Sequence, residues 1–196
     1  MTIRLCLALL AAAAPAAAFA QTAPAAAPAA AEDLVRVALE TAAGRIVIAL
    51  DKGRAPITTA NFLHYVDSGK LAGEGFYRAM PLTKGGLIQG GITSDARKIA
   101  PAIAHEPPSK TGLKHVRGTI AMASAGPGTA KSDFFILTTD VPSFDSTFAP
   151  FGQVVEGMEV VEKILASPTS PTKGLGVMKG QMLEPVVKIT RASRLK

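Results

Sequence analysis

From Leu34 onward the sequence is broken by glycine and proline into short apolar runs, and the first run sets the pattern for the rest. In Leu34 to Thr41 (LVRVALET), Val35, Val37 and Leu39 alternate with Arg36, Ala38 and Glu40, the period-2 arrangement of a half-buried strand. Ala42-Ala43-Gly44-Arg45 then turns the chain into Ile46 to Leu50, which makes a hairpin. Further strands are expected at Phe76 to Ala79, Leu87 to Gln89, Gly118 to Ser124, Phe134 to Thr139, Phe151 to Val155 and Pro185 to Ala192. Two helical patterns interrupt them. One begins near Pro56, gathers Phe62, Leu63 and Val66 on one face and stops at Gly69. The other runs from Gly157 to Ala166 with Met158, Val161 and Leu165 in one stripe, and Ser167-Pro168 ends it. About eight short strands and two one-sided helices fit a mainly β fold, a closed eight-stranded antiparallel β-barrel capped by two α-helices, because closure buries every apolar face and removes exposed edges. Ile92 to Arg117 has no period, and so long an irregular stretch is expected to be functional or held by its own side chains.

The N-terminal stretch is different in kind: alanine fills 16 of the first 31 positions. Met1 to Ala20 reads as a signal peptide, with Arg4 as the positive region, Leu5 to Ala14 as the apolar region and Ala18-Phe19-Ala20 as an A-x-A cleavage motif before Gln21. Its apolar part is too short to span a bilayer. Residues 21–32 read as an Ala/Pro-rich flexible spacer, with too little bulky apolar surface to offset the entropy of ordering it, and 33–196 as the folded domain. The single cysteine, Cys6, lies inside the signal, so the mature chain is expected to form no disulfide; the signal itself implies that the protein works in the periplasm or is secreted. No membrane span is expected after signal cleavage.

Lysine plus arginine outnumber aspartate plus glutamate by 21 to 15, but the cations are scattered and there are only two tyrosines and no tryptophan, so nucleic-acid binding is not expected. His105-Glu106 is followed by Pro107-Pro108, which leaves no second histidine one turn away on a helix, and no metal site is expected. Glu106 is expected to hydrogen-bond a long loop. His64 and His115 have no carboxylate or thiol at ligand spacing and read as surface or packing residues. Lys110-Thr111-Gly112, Ser132-Asp133-Phe134 and Ser170-Pro171-Thr172-Lys173 stand in the wrong order for a penicillin-interactive set, and Ser124 lacks the two glycines of a nucleophile elbow. Gly85-Gly86 and Gly90-Gly91 lack the Lys-Ser/Thr of a phosphate loop. What survives has no nucleophile, acid-base pair or metal: an arginine, a glutamine and apolar residues at strand ends.

Those remaining motifs, Phe76-x-Arg78, Ile88-Gln89-Gly90-Gly91, the stretch from Met122 through Ala123, Ala125, Pro127, Thr129 and Ser132 to Phe134-Phe135-Ile136, and Phe151-Gly152-x-Val154 leading to Gly157-Met158, resemble the cyclophilin family of peptidyl-prolyl isomerases in order and spacing. The resemblance runs over about residues 34 to 192 and looks most like the exported bacterial members. It implies the same barrel and a cofactor-independent enzyme, expected to be a monomer, that rotates X-Pro bonds in proline-containing segments of unfolded or mature proteins and assists their folding. The alternative is a weakly catalytic proline-peptide-binding chaperone module of the same fold. By the resemblance Arg78 is the catalytic arginine, Gln89 the glutamine beside it and Phe135 the floor of the proline pocket. Leu87, Met122, Ala123, Ser124, Asp133, Phe144 and Phe148 are the expected substrate-binding positions. Three residues are added between Arg78 and Gln89, so Gly86 and Leu87 stand where the family has a pocket aromatic and a methionine. Ser143 replaces a tryptophan, Phe144 a leucine and Phe148 a histidine.

Overall fold

The structure is a computed structural model and describes residues 33–196. The signal, its cleavage site, Cys6 and the spacer lie outside the described residues. Nine strands occur: β1 (Leu34–Thr41), β2 (Gly44–Asp51), β3 (Gly75–Pro81), β4 (Gly86–Gly91), β5 (Thr119–Met122), β6 (Phe134–Leu137), β7 (Ala149–Glu156), β8 (Thr169–Ser170) and β9 (Met182–Arg194). They pair antiparallel in the order β1-β2-β7-β5-β6-β4-β3-β9, and β9 returns to β1, which closes eight of them into a barrel. The two-residue β8 lies outside the ring, paired only with β9. All eight expected strands are present, with β9 starting earlier and β5 ending sooner than the sequence pattern suggested.

Strict alternation explains what fills the barrel. Val37 and Leu39 of β1, Ile46, Ile48 and Leu50 of β2, Ile88 of β4, Ile120 and Met122 of β5 and Phe134 and Ile136 of β6 all belong to one buried cluster. Helix α1 (Pro56–Asp67) plugs one opening: its Phe62 ring meets Phe134 edge-on at 5.2 Å and tilts against Phe151 at 5.4 Å. Helix α3 (Met158–Leu165) buries Val161 and Ile164. Between them in sequence lies α2 (Pro108–Thr111), a single turn, so the α-helices among the described residues number three rather than the expected two. Four residues are too few to show a helical period in sequence.

The irregular stretch is held by two buried carboxylates. Glu74 accepts from the backbone N–H of Thr93 (3.1 Å) and Ser94 (3.2 Å), from the Ser94 hydroxyl and from Lys98 Nζ (3.1 Å). Burial by itself would raise this acid, but the four donors outweigh it and hold its pKa low. Glu106 accepts from the N–H of Ile57 (3.1 Å) and Thr58 (2.7 Å) and from the Thr58 hydroxyl (2.7 Å). Helix α1 starts at Ala55-Pro56 with no side-chain cap of its own, so a residue about fifty positions away satisfies its first N–H groups and places a negative charge at its positive end. No helix among the described residues is long and apolar enough to cross a membrane.

Candidate active site

Strand register assembles the site. Arg78 of β3 stands opposite Gln89 of β4, Gln89 opposite Phe135 of β6, and Phe135 opposite Ala121 of β5, so the three residues expected to do chemistry form one row across adjacent strands. The row faces outward. Its inward-facing neighbours Phe134, Ile136 and Ile88 fill the barrel, while Phe135, Leu137, Leu87 and Ala121 make a second apolar cluster on the outer wall.

A bulge in β3 adds to this face. Phe76 pairs with Gly90 and Arg78 with Gln89, which leaves Tyr77 as an extra, unpaired residue. Phe76 is buried in the core, yet the side chains of both Tyr77 and Arg78 reach the outward-facing Gln89, an arrangement that an unbulged strand forbids to adjacent residues. Four hydrogen bonds fix the guanidinium: Nε (2.9 Å) and Nη2 (2.7 Å) donate to Gln181 Oε1, Nη1 donates to Gln89 Oε1 (2.9 Å), and Nη2 contacts Met80 Sδ at 3.2 Å. Every acceptor is neutral, so the cation is oriented without being neutralised. Of its five N–H donors one on Nη1 is left over. Burial lowers the guanidinium pKa, an effect the neighbouring Tyr77 partly opposes, and the group stays cationic at neutral pH.

The network continues away from the cation. Gln89 Nε2 donates to the Tyr77 hydroxyl (2.6 Å), which donates to Asp133 Oδ2 (2.7 Å). Burial and then the Asp133 charge push the Tyr77 phenol up, and burial raises the Asp133 carboxyl although the Tyr77 and Ser132 hydroxyls oppose it. This fixes the Gln89 amide: its nitrogen faces Tyr77, so its oxygen must face Arg78.

Opposite the cation stands an aromatic wall. Phe135 lies edge-on to Phe148 (5.1 Å) and Phe144 (5.7 Å), and those two rings are 5.0 Å apart. Phe144 and Phe148 come from a 3-10 turn, Pro142–Ser146, and the residues just after it. The turn is tied down by Asp145, which accepts from both the backbone N–H (3.0 Å) and the ring Nδ1 (2.8 Å) of His115. A carboxylate can only accept, so Nδ1 carries the proton. The imidazole is fully buried, stacks on Phe135 at 6.2 Å and 18°, and leaves its Nε2 without a partner. Burial drives its pKa down despite the Asp145 contact, while burial of Asp145 is outweighed by the His115 and Lys114 bonds that hold it low.

A cavity of about 260 Å³ lies between the two walls, and Arg78, Gln89, Phe135, Leu87, Ala123, Ser124, Phe144 and Phe148 all line it. Met80 joins them, on the same face as Arg78 two residues on. Two expected residues do not. The Met122 side chain points into the barrel core, 1 % exposed, because alternation along β5 sends it opposite to Ala121 and Ala123; only its backbone remains near the groove. Asp133 lines an adjoining depression of about 410 Å³ on the far side of Gln89. Gly86 carries no side chain into the site, and a Cβ there would collide with the Met80 carbonyl. Ser143 is exposed and lines no part of the cavity. Sequence reasoning missed Met80, Tyr77, Gln181 and the His115–Asp145 pair. Parity with Arg78 signalled Met80; the others had no local signal.

The site is an outward groove on a closed barrel, with one oriented but unneutralised cation facing an aromatic wall. The sequence matches the family described as cyclophilin type peptidyl-prolyl cis-trans isomerase over residues 36–194, and the chain belongs to that family of isomerases. It is 38% identical over 160 residues to peptidyl-prolyl cis-trans isomerase A of Dickeya dadantii (strain 3937), covering 77% of this chain and 80% of that protein. It is 37% identical over 141 residues to a peptidyl-prolyl cis-trans isomerase of Acinetobacter baylyi, covering 68% and 73%. Among solved structures, a cyclophilin type isomerase of Cryptosporidium parvum superposes with a TM-score of 0.69 at 24% identity, covering 82% of this chain and 99% of that one, and was crystallised in the presence of the dipeptide Ala-Pro. That likeness shares the barrel.

Proposed function

We propose that the groove isomerises X-Pro bonds of exported polypeptides, with Arg78 as the group that stabilises the twisted imide. The observation that carries this is the guanidinium fixed by four contacts to neutral acceptors on the rim of the cavity that Phe135 lines.

An X-Pro bond favours trans by only about 0.5–1 kcal/mol, yet amide resonance holds its rotation to about 10–100 s at 25 °C. As the bond twists, the prolyl nitrogen loses conjugation and becomes pyramidal and basic. The spare Nη1 N–H of Arg78 donates to that nitrogen in the transition state and has no comparable acceptor in the planar ground state, so the bond is differential. Reaching about a millisecond from about 100 s takes five decades, near 7 kcal/mol. One charge-assisted hydrogen bond supplies roughly 1.5–3 kcal/mol. The balance comes from seating the proline ring against Phe135, Phe144 and Phe148 and from excluding the water that favours the planar amide. Gln89 orients the cation, and Ala123 and Ser124 hold the peptide extended along the rim.

The test is a protease-coupled assay on a proline peptide: Arg78→Ala lowers kcat/KM by about 10²-fold or more with the circular dichroism spectrum unchanged. An unaltered rate overturns the assignment. Export rests on the N-terminal signal features and is read from the mass of the protein recovered from fractionated cells. A chain beginning at Gln21 outside the cytoplasm is expected, and an intact Met1 in the cytosol sinks this part.

A further inference from the structure

Beside the groove, residues 171–181 form a loop that holds two aliphatic side chains out in water. Leu175 is 85% and Val177 86% exposed, the largest exposures of any bulky apolar residues described. The loop is nonetheless tightly built. Its ends are joined by the Gly180 N–H to the Lys173 carbonyl (3.0 Å), and its tip is a 3-10 turn closed by Met178 N–H to Leu175 carbonyl (3.1 Å) and Lys179 N–H to Gly176 carbonyl (3.2 Å). Gly174 has φ +95°, and a Cβ there would strike the Met178 carbonyl, so the tight curl requires glycine. Lys173 is pinned to Glu184 at 2.6 Å.

The loop is also wired to the cation. Gln181 Nε2 donates to the Val177 carbonyl (2.9 Å), while Gln181 Oε1 takes two hydrogen bonds from Arg78. The Ala79 N–H, next to Arg78, donates to the Gln181 carbonyl (2.9 Å). One glutamine amide therefore bridges the Arg78 guanidinium and the Val177 carbonyl, a separation on the order of two to three residues of extended chain at about 3.3 Å each.

We propose that Leu175 and Val177 are a docking site for an aliphatic or aromatic side chain of the same polypeptide whose proline occupies the groove, two or three residues away from that proline. This rests on the groove being the isomerase site. The loop is joined to the groove's Arg78 by the Gln181 hydrogen bonds, and its closed turn means that little ordering entropy opposes the contact. Two other occupants fit less well. An anionic membrane surface calls for a cluster of cations, and with the Lys173 charge paired to Glu184 the loop offers Lys179 alone. A second copy of the chain needs an interface of about 1,000 Å² or more, far beyond what two side chains on a convex tip bury.

Peptides with a single proline and either leucine or glycine three residues before or after it discriminate, with cis/trans exchange read by NMR. In the full-length mature protein the leucine peptide of at least one pair is exchanged about tenfold more efficiently, equivalent to about 1.4 kcal/mol. In the Leu175→Ser/Val177→Ser double variant that ratio falls to near one, and in Leu175→Met/Val177→Ile it persists. Catalysis with no leucine preference, or a preference untouched by the serine variant, overturns the docking site and leaves the isomerase reading intact. Catalysis of neither peptide overturns that reading and this one with it. Binding of the protein to phosphatidylserine vesicles that the serine variant abolishes overturns the choice of occupant.

Discussion

The two walls of the groove are built by different means. The polar wall belongs to the barrel: Arg78 and Gln89 sit on paired strands, and their positions follow from register and from hydrogen bonds with neutral partners. The aromatic wall is half barrel and half loop. Phe135 is a strand residue, but Phe144 and Phe148 hang on a 3-10 turn anchored by one ionisable pair, His115 and Asp145. A wall set by register is held by backbone pairing and is hard to displace. A wall hung from a buried imidazole is adjustable, and acid loosens it. On the proposed mechanism the polar wall supplies the hydrogen bond to the twisting imide, while the aromatic wall seats the proline and so contributes to both binding and rotation.

The sharpest way to break this division is Arg78→Lys. The charge survives, but an ammonium has three donors at one point and cannot reproduce four planar contacts, so kcat/KM falls by about 10²-fold in the protease-coupled assay. A near-normal rate would mean that positive charge alone suffices. Next comes Gln181→Ala, which frees Nε and Nη2 without touching the aromatic wall. Here kcat is expected to drop about tenfold with KM little changed, and a loss confined to KM contradicts the scheme.

The aromatic wall responds in the opposite coordinate. The pKa values of His115 and Asp145 are both depressed in the folded protein, so their stabilisation is present above the unfolded values, about 6.5 and 3.9, and is lost as pH falls through the folded ones. As the pH falls below about 6.5 the peptide KM is expected to rise, with kcat, corrected for saturation, changing less. In His115→Asn, whose amide can still donate to Asp145, that rise is flattened; an unchanged pH profile in the variant removes His115 from the account. The smallest catalytic effect is expected for Glu106→Gln, which weakens the start of α1 far from either wall. It costs about 1–3 kcal/mol of stability, read as a melting temperature lower by several degrees, with kcat/KM unchanged.

The barrel was legible because its signal is local: period-2 runs and turn residues mark each strand, and closure follows from the need to bury each face. The same alternation carried more than was taken from it. Met122 is the last residue of β5 and alternation turns it inward with Ile120, while Ala123 and Ser124, just past the strand end, both line the groove. His115 was legible as a packing residue, but its carboxylate stands 30 positions on, and Gln181 lies 103 positions after Arg78. Such pairs are created by the closing of the barrel and leave no trace in spacing. The bulge at Tyr77 is equally silent, since the run Gly75-Phe76-Tyr77-Arg78 reads as ordinary strand.

That bulge has a consequence for how the wall can change. Tyr77 is a supernumerary residue: the inward phase resumes at Ala79 as though it were not there, and Phe76 and Ala79 both remain interior. A chain with residue 77 excised is expected to keep Phe76 and Ala79 inward and Arg78 outward, and to lose the phenol that steers Gln89 and donates to Asp133. Length change at this single position is therefore expected to act on the outer wall while the core keeps its phase.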